Sequence, residues 1–251
     1  MLPKKKKQLQ MEQYSIEVCY SPDLFPLYEN KEAVVVVVDI LRATSSICTA
    51  FENGAHAIIP VKTRREAMNA KENGSIVAAE RNGLILDFAD FGNSPSNFTK
   101  ENVLGKEIVY STTNGTKTVQ MAEECKAVAI GSFCNFTVLL QWLIAQKSPI
   151  TILCAGWKGK YNIEDSVFAG ALTDALLATQ QYTTMCDSAI AAVDMWNTHK
   201  HNLRALINKC AQHERLRSNN LDDCIDYCLT FDTCSKVPVY VAGKIVPAKI
   251  N

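Results

Sequence analysis

The chain has 251 residues, with 26 Lys and Arg against 26 Asp and Glu, and 47% of its residues are hydrophobic. That apolar content is enough to bury a core, which excludes wholesale disorder, and the balanced charge excludes a global field drawing the protein to nucleic acid or an acidic membrane. Any anion site must therefore be local.

The longest unbroken apolar run, Ala33 to Val38, falls far short of the roughly 18 residues that a bilayer-spanning helix needs, so no membrane partner is expected. The lysines at positions 4 to 7 have no apolar stretch behind them, so a secretory signal is not expected either. Residues 1–13 read as a solvated basic tail, with a basic contact segment as the alternative, and 14–251 as one α/β domain of a cytoplasmic protein. The ten cysteines read as reduced, mostly buried thiols. Structural zinc on Cys224 and Cys228, with Cys210 and His213 as a second pair, is the weaker reading.

Strands are expected at Ser15–Cys19, Ala33–Val38, Ala57–Val61, Ser75–Ala79, Glu107–Ser111, Ala127–Ile130 and Ile150–Cys154. Several are continuous apolar runs, as strands covered on both faces require. Helices are expected between them at Thr44–Glu52 and Arg64–Glu72, each closed by Asn-Gly, and at Thr116–Cys125 and Asn135–Gln146. This alternation predicts right-handed crossovers and a largely parallel sheet. Beyond residue 160 the pattern turns helical, at Glu164–Thr179, Thr184–His199, Leu203–Arg215 and Asp222–Leu229, before a late strand at Val237–Val241. That region reads as a helical flank whose extra apolar faces would suit a homodimer. The irregular stretch from Asn82 to Asn102 is long enough to be functional.

Polar, glycine-bearing segments follow most strands: Asp39 to Ser46, Glu80 to Gly83, Ser111 to Thr116, Gly131 to Asn135, and Ala155-Gly156 after Cys154. In parallel α/β sheets such ends share a rim where ligands bind. Ser111–Thr116 suits an oxyanion, with hydroxyls, a glycine and a helix start; a hairpin turn at Asn114-Gly115 is the alternative. Asp39 follows five valines and must meet a cation or several donors, because an unpaired buried carboxylate costs several kcal/mol. Arg42, three residues on, is one candidate partner, and a structural Asp–Arg pair capping the next helix is the alternative reading. Glu80-Arg81 and Glu164-Asp165 add two more acidic clusters. Carboxylates beside an oxyanion cradle suit magnesium-dependent phosphoryl chemistry. The nucleophile stays open: neither a D-x-D aspartyl nucleophile nor a C-x5-R loop is present, so metal-activated water is the cautious reading.

Asp39-Ile40-Leu41-Arg42-Ala43-Thr44, Glu80-Arg81-Asn82-Gly83, Gly92-Asn93-Ser94-Pro95, Thr112-Thr113-Asn114-Gly115-Thr116, Gly131-Ser132-Phe133 with Asn135, and Cys154-Ala155-Gly156 with Glu164-Asp165 together resemble the 2-phosphosulfolactate phosphatase family, in order, from about Ser15 to about Val246. The resemblance implies a three-layer α/β/α fold with a largely parallel, mixed sheet, and a magnesium-dependent hydrolysis of 2-phosphosulfolactate, a small phosphorylated and sulfonated acid, to sulfolactate and phosphate, a step toward coenzyme M. On that basis Asp39, Glu80 and Asp165 are expected to hold Mg2+, with Glu164 as substitute ligand or water-orienting base. Arg42 and Arg81 are expected to neutralise substrate oxygens. Thr113, Asn114, Gly115 and Thr116 would donate hydrogen bonds, Asn93 and Ser94 would close the pocket, and Cys154 and Gly156 complete the binding set. Lys117, Lys158 and Lys160 are further candidate cations, and Trp157 a candidate pocket wall. The family pattern has glycine at position 82 and a small residue at 162, where this chain has Asn82 and Asn162. A phosphatase of another small acid, a non-catalytic phosphometabolite-binding protein and a nucleotide-binding domain are the rival readings.

Overall fold

The protein was analysed as a computed structural model that describes residues 13–249. The expected basic tail lies outside the described residues except for Gln13, which is exposed. In chain order the elements are β1 (Tyr14–Cys19), β2 (Val34–Val38), α1 (Ala43–Glu52), β3 (Ala57–Pro60), α2 (Arg64–Glu72), β4 (Ile76–Arg81), β5 (Leu84–Ile85), α3 (Lys100–Val103), β6 (Glu107–Ser111), α4 (Gly115–Met121) and β7 (Ala127–Gly131). They continue with α5 (Phe136–Gln146), β8 (Ile150–Cys154), α6 (Ile163–Ala178), β9 (Tyr182–Thr183), α7 (Asp187–His199), α8 (Leu203–Ile207), α9 (Ala211–Ser218), α10 (Ile225–Cys228), β10 (Pro238–Val241) and β11 (Lys244–Pro247).

The strands form one mixed, largely parallel sheet in the order β5-β4-β6-β3-β11-β10-β7-β2-β8-β1-β9, with helices around it, as the α/β expectation requires. Local chemistry explains several boundaries. Thr63 and Glu66 form a reciprocal capping box that starts α2. Gly54 and Gly74, at φ +87° and +83°, take the left-handed conformation just past α1 and α2.

The five valines of β2 are fully or almost fully buried because both faces of the strand are covered. Val34, Val36 and Val38 join a core with Leu139 of α5, Phe168 of α6 and Ala189 of α7. Val35 and Val37 point the other way, toward Ile47 and Phe51 of α1 and Tyr110 of β6. Helix α1 is buried from Ala43 to Phe51, so it runs through the interior rather than over the surface.

One feature departs from the expected fold. The late strand β10 pairs antiparallel with β7 and, through a tight turn at Ala242-Gly243, with β11, which pairs antiparallel with β3. Both turn residues have positive φ, +49° and +83°, as a type I′ hairpin demands. Ala-Gly is a weaker turn signal than Asn-Gly, and β11 was not anticipated. The hairpin sits in the middle of the sheet and splits it into two parallel blocks, β7-β2-β8-β1-β9 and β3-β6-β4. Three successive antiparallel pairings make these blocks opposite in direction. A flat sheet of this order would send Asp39 and Glu80 to opposite edges. The sheet instead curls around α1, and one core receives side chains from both blocks.

The other differences are local. The expected helix at Leu203–Arg215 is interrupted after Ile207, and α9 begins only at Ala211. The expected helix at Asp222–Leu229 is a 3-10 turn followed by α10.

Gly170 in α6 sets how closely α7 approaches: an added Cβ would overlap the Ala192 carbonyl oxygen and lie 3.1 Å from Trp196 Cβ. Alanine is favoured over glycine inside a helix by about 1 kcal/mol, but overpacking a well-filled contact costs about 1–3 kcal/mol. Gly170→Ala is therefore expected to lower the urea midpoint by the equivalent of about 1–2 kcal/mol. A raised midpoint would show that the two helices part freely.

Candidate active site

The curl brings loops from both blocks to one polar pocket, lined by Asp39, Leu41, Arg42, Glu80, Gly83, Asn93, Thr113, Asn114, Gly156, Trp157, Asn162, Glu164 and Gln212. Asp39 leaves β2 into a locked turn, where its N–H donates to Thr44 Oγ1 at 3.1 Å and its carbonyl accepts from the Thr44 N–H at 2.9 Å. The peptide joining Leu41 to Arg42 is cis. Gly115 packs on this turn so closely that a Cβ there would come within 3.0 Å of Ala43 Cβ and 3.1 Å of Asp39 Oδ2. Here the glycine is needed for close approach, not for an unusual φ.

Glu80, 3% exposed, spends its carboxylate on local backbone. Oε2 accepts from the Gly83 N–H at 2.7 Å, Oε1 accepts from the Thr113 N–H at 2.7 Å, and the Thr113 hydroxyl reaches both oxygens at 3.0 and 3.1 Å. It ties the β4 turn to the loop after β6. Asn82 holds φ +54° in that turn, a conformation that Asn tolerates better than most residues, so replacing a glycine of the family pattern costs little. Its N–H donates to Thr113 Oγ1 at 3.0 Å.

Asp165, fully buried, behaves similarly. Oδ1 accepts from the Ile40 N–H at 2.9 Å; Oδ2 accepts from Asn162 Nδ2 at 2.7 Å and from the Gly156 N–H at 3.2 Å. Asp165 does not line the pocket. It fixes the loops that do. Among the described residues no three His, Cys, Asp or Glu side chains converge as a metal cage, so the expected trio Asp39, Glu80 and Asp165 does not form one. The physical reason is that Glu80 and Asp165 have donated their lone pairs to amides and hydroxyls.

The remaining acceptors are different. Among the described residues, no side-chain cation lies within ion-pair distance of Asp39, and Glu164 accepts only from Asn162 Nδ2, at 3.1 Å. Asn162 Oδ1 is buried with no hydrogen-bond partner among the described residues. Two carboxylates and an orphaned amide oxygen, all from pocket-lining residues, are hard ligands of the kind that Mg2+ accepts alongside water. Burial and the charges of Glu80 and Glu164 push the Asp39 carboxyl up to about 7. Burial also raises Glu164, against the pull of Arg215 and Asn162, and raises Asp165 well above the carboxylate range, with help from Asp39 and Glu164. This excess of acid in a dry site favours a proton or a cation there.

Arg42, 3% exposed, is held by Asn93 Oδ1 at 2.9 Å and the Gly83 carbonyl at 3.2 Å, both accepting from Nη2. The Asn93 carbonyl accepts from Ser46 Oγ at 2.7 Å, which anchors the long loop to α1. Asn114 Nδ2 donates to the Gly156 carbonyl at 3.1 Å, and Thr112 and Thr116 exchange bonds at 3.2 and 3.4 Å.

Several expected residues stand elsewhere. Arg81 does not line the pocket: Nη1 donates to the Glu80 carbonyl at 2.6 Å and Nη2 to Ser111 Oγ at 2.9 Å. Ser94 faces a neighbouring groove, and Gly115 and Thr116 stand behind the lining. Cys154 is sealed in the core, and burial raises its thiol well above the ordinary range, so it offers neither thiolate nor substrate contact. Lys117 and Lys158 border a separate groove that shares Thr113 and Asn114 with the pocket. Gln212 was not anticipated. It arrives from α9, and its Nε2 donates to the Leu41 carbonyl at 2.9 Å; no motif in the helical region announces such a contact.

The comparisons with known proteins identify the family. Residues 19–243 match the family described as 2-phosphosulpholactate phosphatase. A protein of Thermotoga maritima is 37% identical over 212 residues, covering 84% of this chain and 90% of the relative. A Clostridium acetobutylicum protein is 30% identical over 234 residues, covering 92% and 99%, and one from Gloeobacter violaceus is 34% identical over 237 residues, covering 92% and 97%. All three carry the name probable 2-phosphosulfolactate phosphatase. With the matched span enclosing every pocket residue, the chain belongs to the 2-phosphosulpholactate phosphatase family.

Proposed function

We propose that the protein hydrolyses 2-phosphosulfolactate to sulfolactate and phosphate with magnesium, the reaction type that leads toward coenzyme M, and that it works in the cytoplasm. Among the described residues no helix is long and apolar enough to cross a membrane. The observation carrying the reading is one pocket lined together by Asp39, Glu164, Arg42 and Asn162, whose Oδ1 is unpartnered among the described residues.

Asp39 and Glu164, with Asn162 Oδ1, would hold the magnesium ion, which when bound supplies charge neutralisation for phosphoryl oxygens and activation of water. Arg42 grips the phosphate with the N–H groups that Gly83 and Asn93 leave uncommitted. Glu80 and Asp165 act as positioning residues for Thr113 and Gly156 on either side of the phosphate. Glu164, whose carboxyl burial raises, suits the proton transfer from attacking water. With the Cys154 thiol sealed off, water is the nucleophile this pocket favours. Phosphate release from a panel of phosphomonoesters, with and without Mg2+, tests the reading; no release from any of them would end it.

Asp39→Asn separates function from stability. Turnover is expected to fall by about 1,000-fold or more, since metal sites supply several kcal/mol to such reactions. The metal-free fold is expected to gain. The raised carboxyl keeps a proton that the unfolded chain releases near pH 4, so its contribution is complete below pH 4 and is lost as pH rises through 7. Asp39→Asn should therefore be more stable than wild type by about 1–3 kcal/mol at pH 8, with the gap closing toward pH 4, in urea titrations with chelator present. An unchanged gap across that range would contradict the buried-carboxylate assignment.

Magnesium supplies an independent readout. At pH 8, millimolar Mg2+ should raise the wild-type melting temperature, and the rise should shrink at pH 5.5 and vanish in Asp39→Asn, because the ion competes with protons for the same oxygens. Equal shifts in both proteins would remove Asp39 from the metal site.

A further inference from the structure

The geometry points to Arg215 of α9 as the residue that selects substrates bearing a second anionic group, by gripping a carboxylate or sulfonate on the carbon skeleton of the phosphate ester. This inference rests on the phosphatase reading and specifies which esters the pocket prefers.

The pocket holds more acid than base. Asp39, Glu80 and Glu164 line it against the single guanidinium of Arg42, which Gly83 and Asn93 aim at one place. A substrate with charges at both ends needs a cation at a second place. The wall formed by Trp157, Glu164 and Gln212 supplies one just behind it. The Arg215 guanidinium carbon lies 4.1 Å from the centre of the Trp157 ring, and its Nε donates to Gln212 Oε1 at 2.8 Å. Gln212 is itself fixed, by its bond to the Leu41 carbonyl in the turn after β2. Stacking and a single anchored N–H hold the planar group in orientation. Among the described residues, neither terminal amino group of Arg215 has a protein acceptor. Two parallel N–H donors then remain for a group with two or three oxygens, the geometry in which arginine outperforms lysine.

Charge placement agrees. Arg215 lies close enough to Glu164 to draw that carboxyl down, yet no ion pair forms between them. Burial meanwhile lowers the guanidinium's own proton affinity, the cost of holding a cation out of water beside the pocket. Lys158 also approaches the Trp157 ring, at 5.3 Å, but its ammonium is exposed and has no anchoring partner among the described residues. A solvated point charge selects weakly compared with an oriented fork.

The test is the ratio of kcat/KM for a charged-tail ester to that for a plain ester, measured on wild type, Arg215→Ala, Arg215→Lys and Lys158→Ala. The substrates are 2-phosphosulfolactate, 2-phospholactate with carboxylate alone, the phosphate ester of 2-hydroxyethanesulfonate with sulfonate alone, and ethyl phosphate with neither. Arg215→Ala should lower the ratio about 10- to 100-fold, mainly through KM, since charge-assisted hydrogen bonds contribute about 1.5–3 kcal/mol. Arg215→Lys should recover part of it, and the single-anion ester that loses more identifies the group gripped. The proposal is overturned by an equal loss on ethyl phosphate, which would mark a structural role, by an unchanged ratio, or by a larger shift in Lys158→Ala. A wild type that hydrolyses none of the four defeats the phosphatase reading instead, and titration calorimetry with sulfolactate still tests Arg215 in that event: wild type binds it, and Arg215→Ala binds at least tenfold more weakly. Equal affinity of the two overturns the proposal.

Discussion

The arrangement depends on one electrostatic constraint: several carboxylates share a nearly dry space with few cations. Such a cluster is tolerable only when each acid has a way to disperse its charge. Glu80 and Asp165 do so through main-chain amides, a threonine hydroxyl and the Asn162 side chain. In consequence they join the turn after β4, the loop after β6, the turn after β2 and the start of α6 into one framework. Asp39 and Glu164 lack comparable donors among the described residues, and burial raises both carboxyls. The acids thus divide by hydrogen bonding into those that build the pocket and those with capacity left for chemistry.

The same division explains why the sheet must curl. Asp39 and Glu80 come from blocks of opposite direction, and the charge of Glu80 helps to raise the Asp39 carboxyl. Only a sheet wrapped about α1 brings both strand ends to one place. Nothing but small or closely fitting residues could occupy the inside of that wrap, which accounts for Ala43, Ser45, Ser46, Cys48 and Ala50 along a helix with almost no exposed face.

The sequence made much of this visible, for identifiable reasons. Five consecutive valines leave no polar face, so β2 had to be central; Asn-Gly pairs marked the ends of α1 and α2; polar segments after strands pointed to Asp39, Arg42, Glu80, Thr113, Asn114 and Gly156, which line the pocket, while Glu164 stood out in an acidic pair opening a helix and Asn93 only through the family motif. What stayed hidden depends on direction and distance rather than composition. Adjacent acids cannot be told apart from residue type alone, yet Glu164 faces the pocket while Asp165 faces the loops behind it. Glu80 and Arg81 part in the same way, because successive residues of a strand point to opposite sides. Gln212 and Arg215 lie on a short helix tied to the site by a long-range hydrogen bond to the Leu41 carbonyl and by the stack on Trp157, contacts for which no local pattern exists.

The inserted hairpin has a consequence for biosynthesis. β7 and β3 emerge from the ribosome long before β10 and β11, which later fill the gap between them. Until then each of the two strands presents an open edge, and nothing in the sheet connects the halves that carry Asp39 and Glu80. Unpaired edges of this kind recruit strands from other chains. The nascent protein therefore passes through a stage in which assembly of its pocket and protection from aggregation await the same short segment.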